Sequence, residues 1–371
     1  MNLVRTAACP ITVAAIGLSC GSCGGGGDDA GASPAAVTGT RYAATTLVAD
    51  TPIGSRTARI DAKLVNPWDL AFSATSAVWV TNNGSSSSAI YGDGDAPRQL
   101  LVSAPARSAA SVRPTGVAFN SGNGFAVSEN GRASTARFIV ASEGGTLSGW
   151  APSLGIESAV LAFDGSASGA VYTGLAMTTV HGLDATLLAP DFRNGRIDRF
   201  DADFAKPGGA DRFIDPKLPA GYAPYGILAR NELIHVAYAK QDAQARAPQA
   251  GAGRGLVNTF DSSGRLLKRL IPAGDVLDAP WGMAVAPGNF GTFSGALLVA
   301  NSGNGTINAF DPASGRWLGA LTQPNGAVLA IEGLHRIAFG NGASGLPTNA
   351  LFFAAGPSGG RHGALGRIDV Q

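Results

Sequence analysis

APWGMAV (residues 279–285), ALLVANS (296–302) and GTINAFD (305–311) follow one another along the chain and decide its fold. The first is a Pro-aromatic step into an apolar strand, the second an apolar strand ending on a polar residue, and the third a short strand ending on Asp. The same phrase recurs in both directions. Its opening strand reads NPWDLAF (66–72), RPTGVAF (113–119), YTGLAM (172–177), APYGILA (223–229) and GLHRIAF (333–339) in the other copies. Second strands are predicted at AVWVTNN (77–83), GFAVSEN (124–130), ATLLAPD (185–191), LIHVAYA (233–239) and ALFFAAG (350–356). GRIDRFD (195–201) and GLVNTFD (255–261) are third strands of the same kind. Short strands repeated at a period near fifty residues mark a β-propeller, in which each small sheet buries its faces against its neighbours.

Aligning Pro67, Pro114, Tyr172, Pro224, Pro280 and Leu334 gives steps of 47, 58, 52, 56 and 54 residues, room for four strands and their loops in each blade. The sequence therefore predicts an all-β, six-bladed β-propeller over residues 42–371. The last copy supplies only three strands before Gln371, so its sheet is one strand short. YAATTLVAD (42–50), with Thr and Val where a strand favours them, is expected to complete it. An N-terminal strand paired in this way closes the ring and removes an open sheet edge.

Composition agrees. The chain has 52 Gly and 21 Pro, and Asn-Gly pairs at 83–84, 130–131, 194–195, 325–326 and 341–342 fit tight turns with positive φ. Charged residues are 14% and the net charge is +1, which provides no basic field for a nucleic acid backbone, so nucleic acid is not expected as a partner.

The N-terminus reads differently. MNLVR is basic and TAACPITVAAIGLS (6–19) is apolar but too short to span a bilayer. Residues 1–23 are expected to be an export signal of lipoprotein type and residues 24–41 a flexible Gly/Asp/Ala tether. Cys9, Cys20 and Cys23 all lie here, so the propeller relies on no disulfide. Lipidation is expected at Cys23 or Cys20, although neither GLS nor CGS before them is a leucine-led lipobox triplet; simple secretion is the alternative. The membrane is then met only through a lipid anchor.

In a propeller the starts of the first strands and the ends of the second strands meet at one mouth. The inner ring is predicted as Trp68, Thr115, Thr173, Tyr225, Trp281 and His335, and the outer ring as Asn82, Glu129, Asp191, Tyr238, Asn301 and Ala355. Aromatic walls with a few polar groups suit a small-molecule site, which makes Trp68, Tyr225, Tyr238, Trp281, His335 and Asn301 binding candidates. The same aromatics can instead plug the channel. Asn82, Glu129 and Asp191, from consecutive blades, offer hard oxygens to a calcium ion; alternatively they bond turn amides. Four blades carry Gly after the inner-ring position, but blade 1 has Asp69 and blade 6 has Arg336, a matched pair expected to form an ion pair across the closing seam at the mouth and counted with the ligand-binding candidates there. Residues 242–255 interrupt blade 4 above that mouth, as a basic lid or as a tolerated loop. GPSGG (356–360) and FGNGASG (339–345) match a nucleophile elbow and a dinucleotide loop only by chance, because no helix follows either.

LVNPWDLAFS (64–73), VWVTNNGSSSSAIY (78–91), ARFIVASEGGTLSGW (136–150), LPAGYAPYGI (218–227), YAKQDA (238–243), residues 279–312 and IAFGNG (337–342) resemble an uncharacterised bacterial family of exported proteins, similar in style to NHL-repeat and gluconolactonase-like six-bladed propellers. The resemblance implies the fold and an envelope or extracellular location, and no particular activity. Asp69 and the His335–Arg336 pair depart from the family's usual phrase. Two functions follow as expectations: a lipid-anchored binding or scaffold module for a small molecule or an envelope protein, or a calcium-dependent hydrolase or lactonase acting at the mouth.

Overall fold

In the computed structural model, which describes residues 39–52, 58–92, 98–102, 112–155, 157–179, 185–208 and 212–371, six blades surround one axis, and the outer strands of blades 1 and 2, Arg98–Val102 and Ser158–Asp164, pair in parallel so that these two blades share one eight-stranded sheet. Residues 1–38, which hold the expected export signal with the three cysteines and most of the expected tether, lie outside the described residues. The innermost strands are Pro67–Ala71, Pro114–Phe119, Ala176–Thr179, Tyr222–Arg230, Pro280–Val285 and Leu334–Phe339, and each touches the next until the sixth meets the first.

Blade 6 is completed as the sequence predicts. Tyr42–Ala49 runs antiparallel to Ala364–Val370, from Tyr42 opposite Val370 to Ala49 opposite Ala364. Tyr42 is fully buried, packs on Phe290 and Phe293, and donates its hydroxyl to the Phe290 carbonyl at 3.1 Å, so the N-terminal strand also grips blade 5. At its other end Asp50 accepts the Gly363 amide at 3.0 Å and contacts the His362 ring at 2.9 Å.

The core follows from the strand alternation. One apolar cluster fills each gap between neighbouring blades, and a seventh, built on Trp68, Phe192, Tyr225 and Trp281, sits at the axis. The inner strands approach so closely that a Cβ on Gly226 would stand 2.1 Å from the Trp281 carbonyl oxygen, and one on Gly282 2.3 Å from that of His335. Glycine after the inner-ring residue is a packing requirement there.

Two blades depart from the predicted phrase. In blade 2, the second strand is Phe138–Ser142, which pairs with Pro114–Phe119, and not GFAVSEN. Residues 124–130 instead enter a separate hairpin, Ala126–Glu129 with Arg132–Thr135, turned by Asn130 (φ 50°) and Gly131 (φ 75°). Both turn residues have the positive φ that a two-residue type I′ hairpin needs. In blade 3, only Ala176–Thr179, Ala185–Asp191 and Arg196–Phe200 form the sheet among the described residues, whereas every other blade has at least four strands.

Candidate functional site

Strand register builds the mouth from its residues. Pro67 faces Asn82, Pro114 faces Ser142, Tyr172 faces Asp191, Pro224 faces Tyr238, Pro280 faces Asn301 and Leu334 faces Ala355. Five of the six predicted outer-ring residues stand where expected. Ser142 replaces Glu129, which is exposed on the inserted hairpin.

The inner-ring aromatics plug the channel. The Trp68 and Trp281 indoles both donate to the Thr173 carbonyl, at 3.1 and 2.8 Å, reaching across the axis from blades 1 and 5 to blade 3. Trp68 stacks on His335 at 4.2 Å and meets Tyr225 and Trp281 edge-on at 6.4 and 6.3 Å. Thr115 and Thr173 donate to the Tyr172 and Tyr225 carbonyls at 2.7 and 2.8 Å, lacing adjacent inner strands together. With these donors satisfied and the rings in contact, the axis is a packed core.

Above the plug lies a depression of about 300 Å³ lined by Asn66, Trp68, Tyr225, His335, Ser302 and a set of glycines, with Pro248 and Ala250 of the blade 4 insertion at its edge. Three buried polar atoms in its wall, Asn66 Oδ1, His335 Nδ1 and Ser302 Oγ, have no hydrogen-bond partner among the described residues. A relay fixes the Asn66 amide. Arg113 donates to Asn83 Oδ1 at 3.2 Å, Asn83 Nδ2 donates to Glu143 Oε1 at 3.1 Å, and Asn83 Oδ1 also accepts Asn66 Nδ2 at 3.1 Å, which leaves Asn66 Oδ1 as a bare acceptor. Burial lowers the His335 pKa to about 4, against a backbone hydrogen bond at Pro67 that acts the other way. The ring is therefore neutral at physiological pH.

Glu143 is the mouth carboxylate that sequence reasoning missed. It forms an ion pair with Arg113 at 2.9 Å, and burial raises its pKa while Arg113, Asn83 and Arg246 of the insertion oppose that shift. The signal was present in SEGG (142–145), but the assignment of the second strand to 124–130 hid it. Asn66, Arg113 and Ala279, each directly before an inner-strand proline, have φ of 48°, 51° and 46°. Left-handed backbone at non-glycine residues is strained, and three such positions, each directly before an inner-strand proline, lie on this rim.

The other candidates have structural partners. Asn301 accepts the Asp278 amide at 3.1 Å and donates to Val276 and Thr306 at 2.8 and 3.1 Å. Tyr238 is buried between blades 3 and 4. Asp191 accepts the Val171 amide at 3.1 Å and Asn194 Nδ2 at 2.7 Å, and Asn82 donates to Ser87 at 3.1 Å. With Glu129 on a separate hairpin and Asp191 committed to turn amides, the structure does not assemble the calcium trio. Among the described residues no group of three or more His, Cys, Asp or Glu is arranged for a metal ion.

Asp69 and Arg336 do meet across the seam, Arg336 Nε standing 3.3 Å from Asp69 Oδ1. They do so below the plug: Arg336 lines the opposite opening of the channel, with Phe72, Phe119 and Met177, and not the mouth. All the inner strands run away from the mouth, so residues 69 and 336, one step past the inner ring, lie on its far side. Asp69 also accepts the Val117 and Leu70 amides at 2.9 and 2.8 Å, so one carboxylate links blades 6, 1 and 2. Burial nevertheless pushes its pKa up to about 6, outweighing Arg336 and both amides.

These features define a six-bladed β-propeller with a plugged axis and a polar depression at one mouth. The chain belongs to the same family as the uncharacterized protein R648 of Acanthamoeba polyphaga mimivirus, with which it shares 30% identity over 314 residues, 81% of this chain and 75% of that one. The uncharacterized protein L690 of the same virus is 29% identical over 293 residues, 76% of this chain and 75% of that one. No protein-family model matches the chain. Among solved structures, a streptogramin B lyase is similar at 12% identity and a TM-score of 0.51, covering 90% of this chain and 98% of that one. A protein of unknown function from Bacteroides thetaiotaomicron is similar at 11% identity and a TM-score of 0.55, covering 90% and 76%. At such identities the likeness concerns the fold.

A raised carboxylate pKa has a definite sign. Between the ordinary Asp value of 3.8 and about 6 the folded state holds a proton that the unfolded state has lost, so Asp69 makes stability fall as pH rises through that window. His335 acts oppositely, and comparison with Asp69→Asn isolates the carboxylate. The difference in unfolding free energy between the variant and the parent is expected to shift by about 2 kcal/mol in favour of the variant from pH 4 to pH 7. Urea unfolding at each pH measures it, and a difference that stays constant with pH contradicts the assignment.

Proposed function

We propose that the protein is a binding module displayed outside the cytoplasm on a lipid anchor, and that its recognition site is the depression at the mouth. The observation that carries this reading is the group of unpartnered polar atoms on Asn66, His335 and Ser302 in the wall of one small depression over a rigid aromatic floor. Leaving a buried polar group unpaired costs about 1–3 kcal/mol, so a ligand that supplies the missing partners recovers that penalty. Asn66 Oδ1 is an acceptor, and so is the neutral His335 Nδ1 in the tautomer that carries its proton on Nε2. They fit a small neutral molecule rich in hydroxyl or amide donors, such as a polyol.

The blade 4 insertion serves as the lid in this reading. Pro248 bridges to Gln241 and Arg254 to Asp278, and the Gly251 amide donates to Asp278 at 2.6 Å, so the segment is latched over the depression by a few bonds that a ligand can rearrange. Display outside the cytoplasm rests on the apolar N-terminus and on Cys20 or Cys23 ahead of a Gly and Asp tether.

Two measurements test the two halves. Tryptophan fluorescence of the protein titrated with neutral polyols (glucose, sorbitol, myo-inositol) is expected to saturate with at least one of them. Affinity should be constant from pH 8 to pH 5, and at least tenfold weaker in His335→Phe. A response that His335→Phe leaves intact, or none from the whole panel, contradicts the mouth site. Separately, alkyne-palmitate labelling in a Gram-negative host is expected to mark the full chain and to disappear when Cys20 and Cys23 are both replaced by Ser; an unlabelled full chain contradicts the anchor.

A further inference from the structure

We propose that the slot between blades 3 and 4 receives an extended, acidic peptide segment of a partner protein, which adds to blade 3 as its fourth strand. The starting observation is the short sheet. Among the described residues blade 3 ends at Arg196–Phe200, whereas each other blade continues to a fourth strand. In the pairing of this strand with Ala185–Asp191, Pro190 stands opposite Ile197. Proline has no N–H, and the Pro190 carbonyl accepts the Thr173 amide on the other side at 3.1 Å. The Pro190–Ile197 pair is therefore a non-hydrogen-bonded one, and by alternation Ile197 and Arg199 turn their N–H and C=O groups outward. A strand laid along that edge finds the donors and acceptors it needs.

The space and the charge match such an occupant. A cavity of about 610 Å³ borders the edge, lined by Arg196, Asp198, Arg199, Lys206, Arg212 and Asp215 among others. Both carboxylates are already committed. Asp198 takes Arg196 at 2.9 Å and Lys206 at 2.6 Å, and Asp215 is held by Arg269 and by Asn258 Nδ2 at 3.0 Å. Arg199 faces Arg212, and no carboxylate is paired with either among the described residues; Arg199 Nε is buried without a partner, and Arg212 is aimed by a 2.6 Å bond to the Ser263 carbonyl. Burial and the neighbouring Arg212 both lower the Arg199 pKa, so its charge is held at a cost. Acidic side chains alternating along an added strand would meet them, while its backbone pairs with Ile197 and Arg199.

The test uses a fluorescein-labelled, end-blocked heptapeptide alternating Val and Glu, followed by anisotropy at 50 mM salt. It is expected to bind saturably, to weaken at least tenfold in Arg199→Gln/Arg212→Gln, and to fail when alternate backbone nitrogens of the peptide are methylated. The Lys counterpart should not compete, and the thermal midpoint of the double variant should match the parent. Equal binding of the methylated peptide, or displacement by succinate at similar concentration, would overturn strand addition in favour of a simple ion site. No binding of the acidic peptide would mean that the edge charges only protect blade 3 from aggregation. The mouth site stands or fails independently of either result.

Discussion

Everything in this molecule depends on how tightly six inner strands crowd one axis. Where the backbone of the next blade comes within 2.1 to 2.3 Å of the place a Cβ would occupy, as at Gly116, Gly226 and Gly282, the chain has no side chain to spare. That crowding leaves no pore, so the tryptophans and Tyr225 pack as core and the mouth becomes a shallow, rigid floor. It also requires a complete circle. A ring that opens at any seam exposes two faces of apolar side chains, and the only seam not joined by direct chain continuity is closed by Tyr42–Ala49 along Ala364–Val370.

Asp69 shows the cost of altering the rule. Three of the other blades leave no room at that position, and blade 1 fills it with a carboxylate that bonds the Val117 amide and faces Arg336. Its pKa of about 6 says that attraction and hydrogen bonding recover only part of the desolvation penalty. The pair joins the blades on both sides of the closing seam at some expense in stability. By contrast, the unpaired acceptors on Asn66 and His335 face the opposite way along the axis, toward the mouth, where a partner can come from outside.

The blade phrase, the closing strand and the meeting of Asp69 with Arg336 were all legible in the sequence, because each rests on a repeat whose period and register carry over directly into space. The outer ring was legible wherever the second strand was. GFAVSEN misled because its alternation is that of a strand; it is a strand, but one of a local hairpin, and only long-range pairing with Pro114–Phe119 singles out FIVAS and so Ser142 and Glu143. The side of the channel on which Asp69 and Arg336 lie depends on a one-residue step along a strand, which a repeat alignment does not resolve. Likewise, that blade 3 has only three strands among the described residues leaves no mark in a spacing of 52 residues, ample for four strands.

Closure of the ring by the N-terminal strand is tested most directly by comparing urea unfolding of a chain starting at residue 51 with one starting at residue 39. The expected result is that loss of the strand removes the single cooperative transition, giving a broad change at much lower urea with a smaller slope. A shortened chain that unfolds at the same midpoint and with the same slope would show that the propeller holds together without its closing strand.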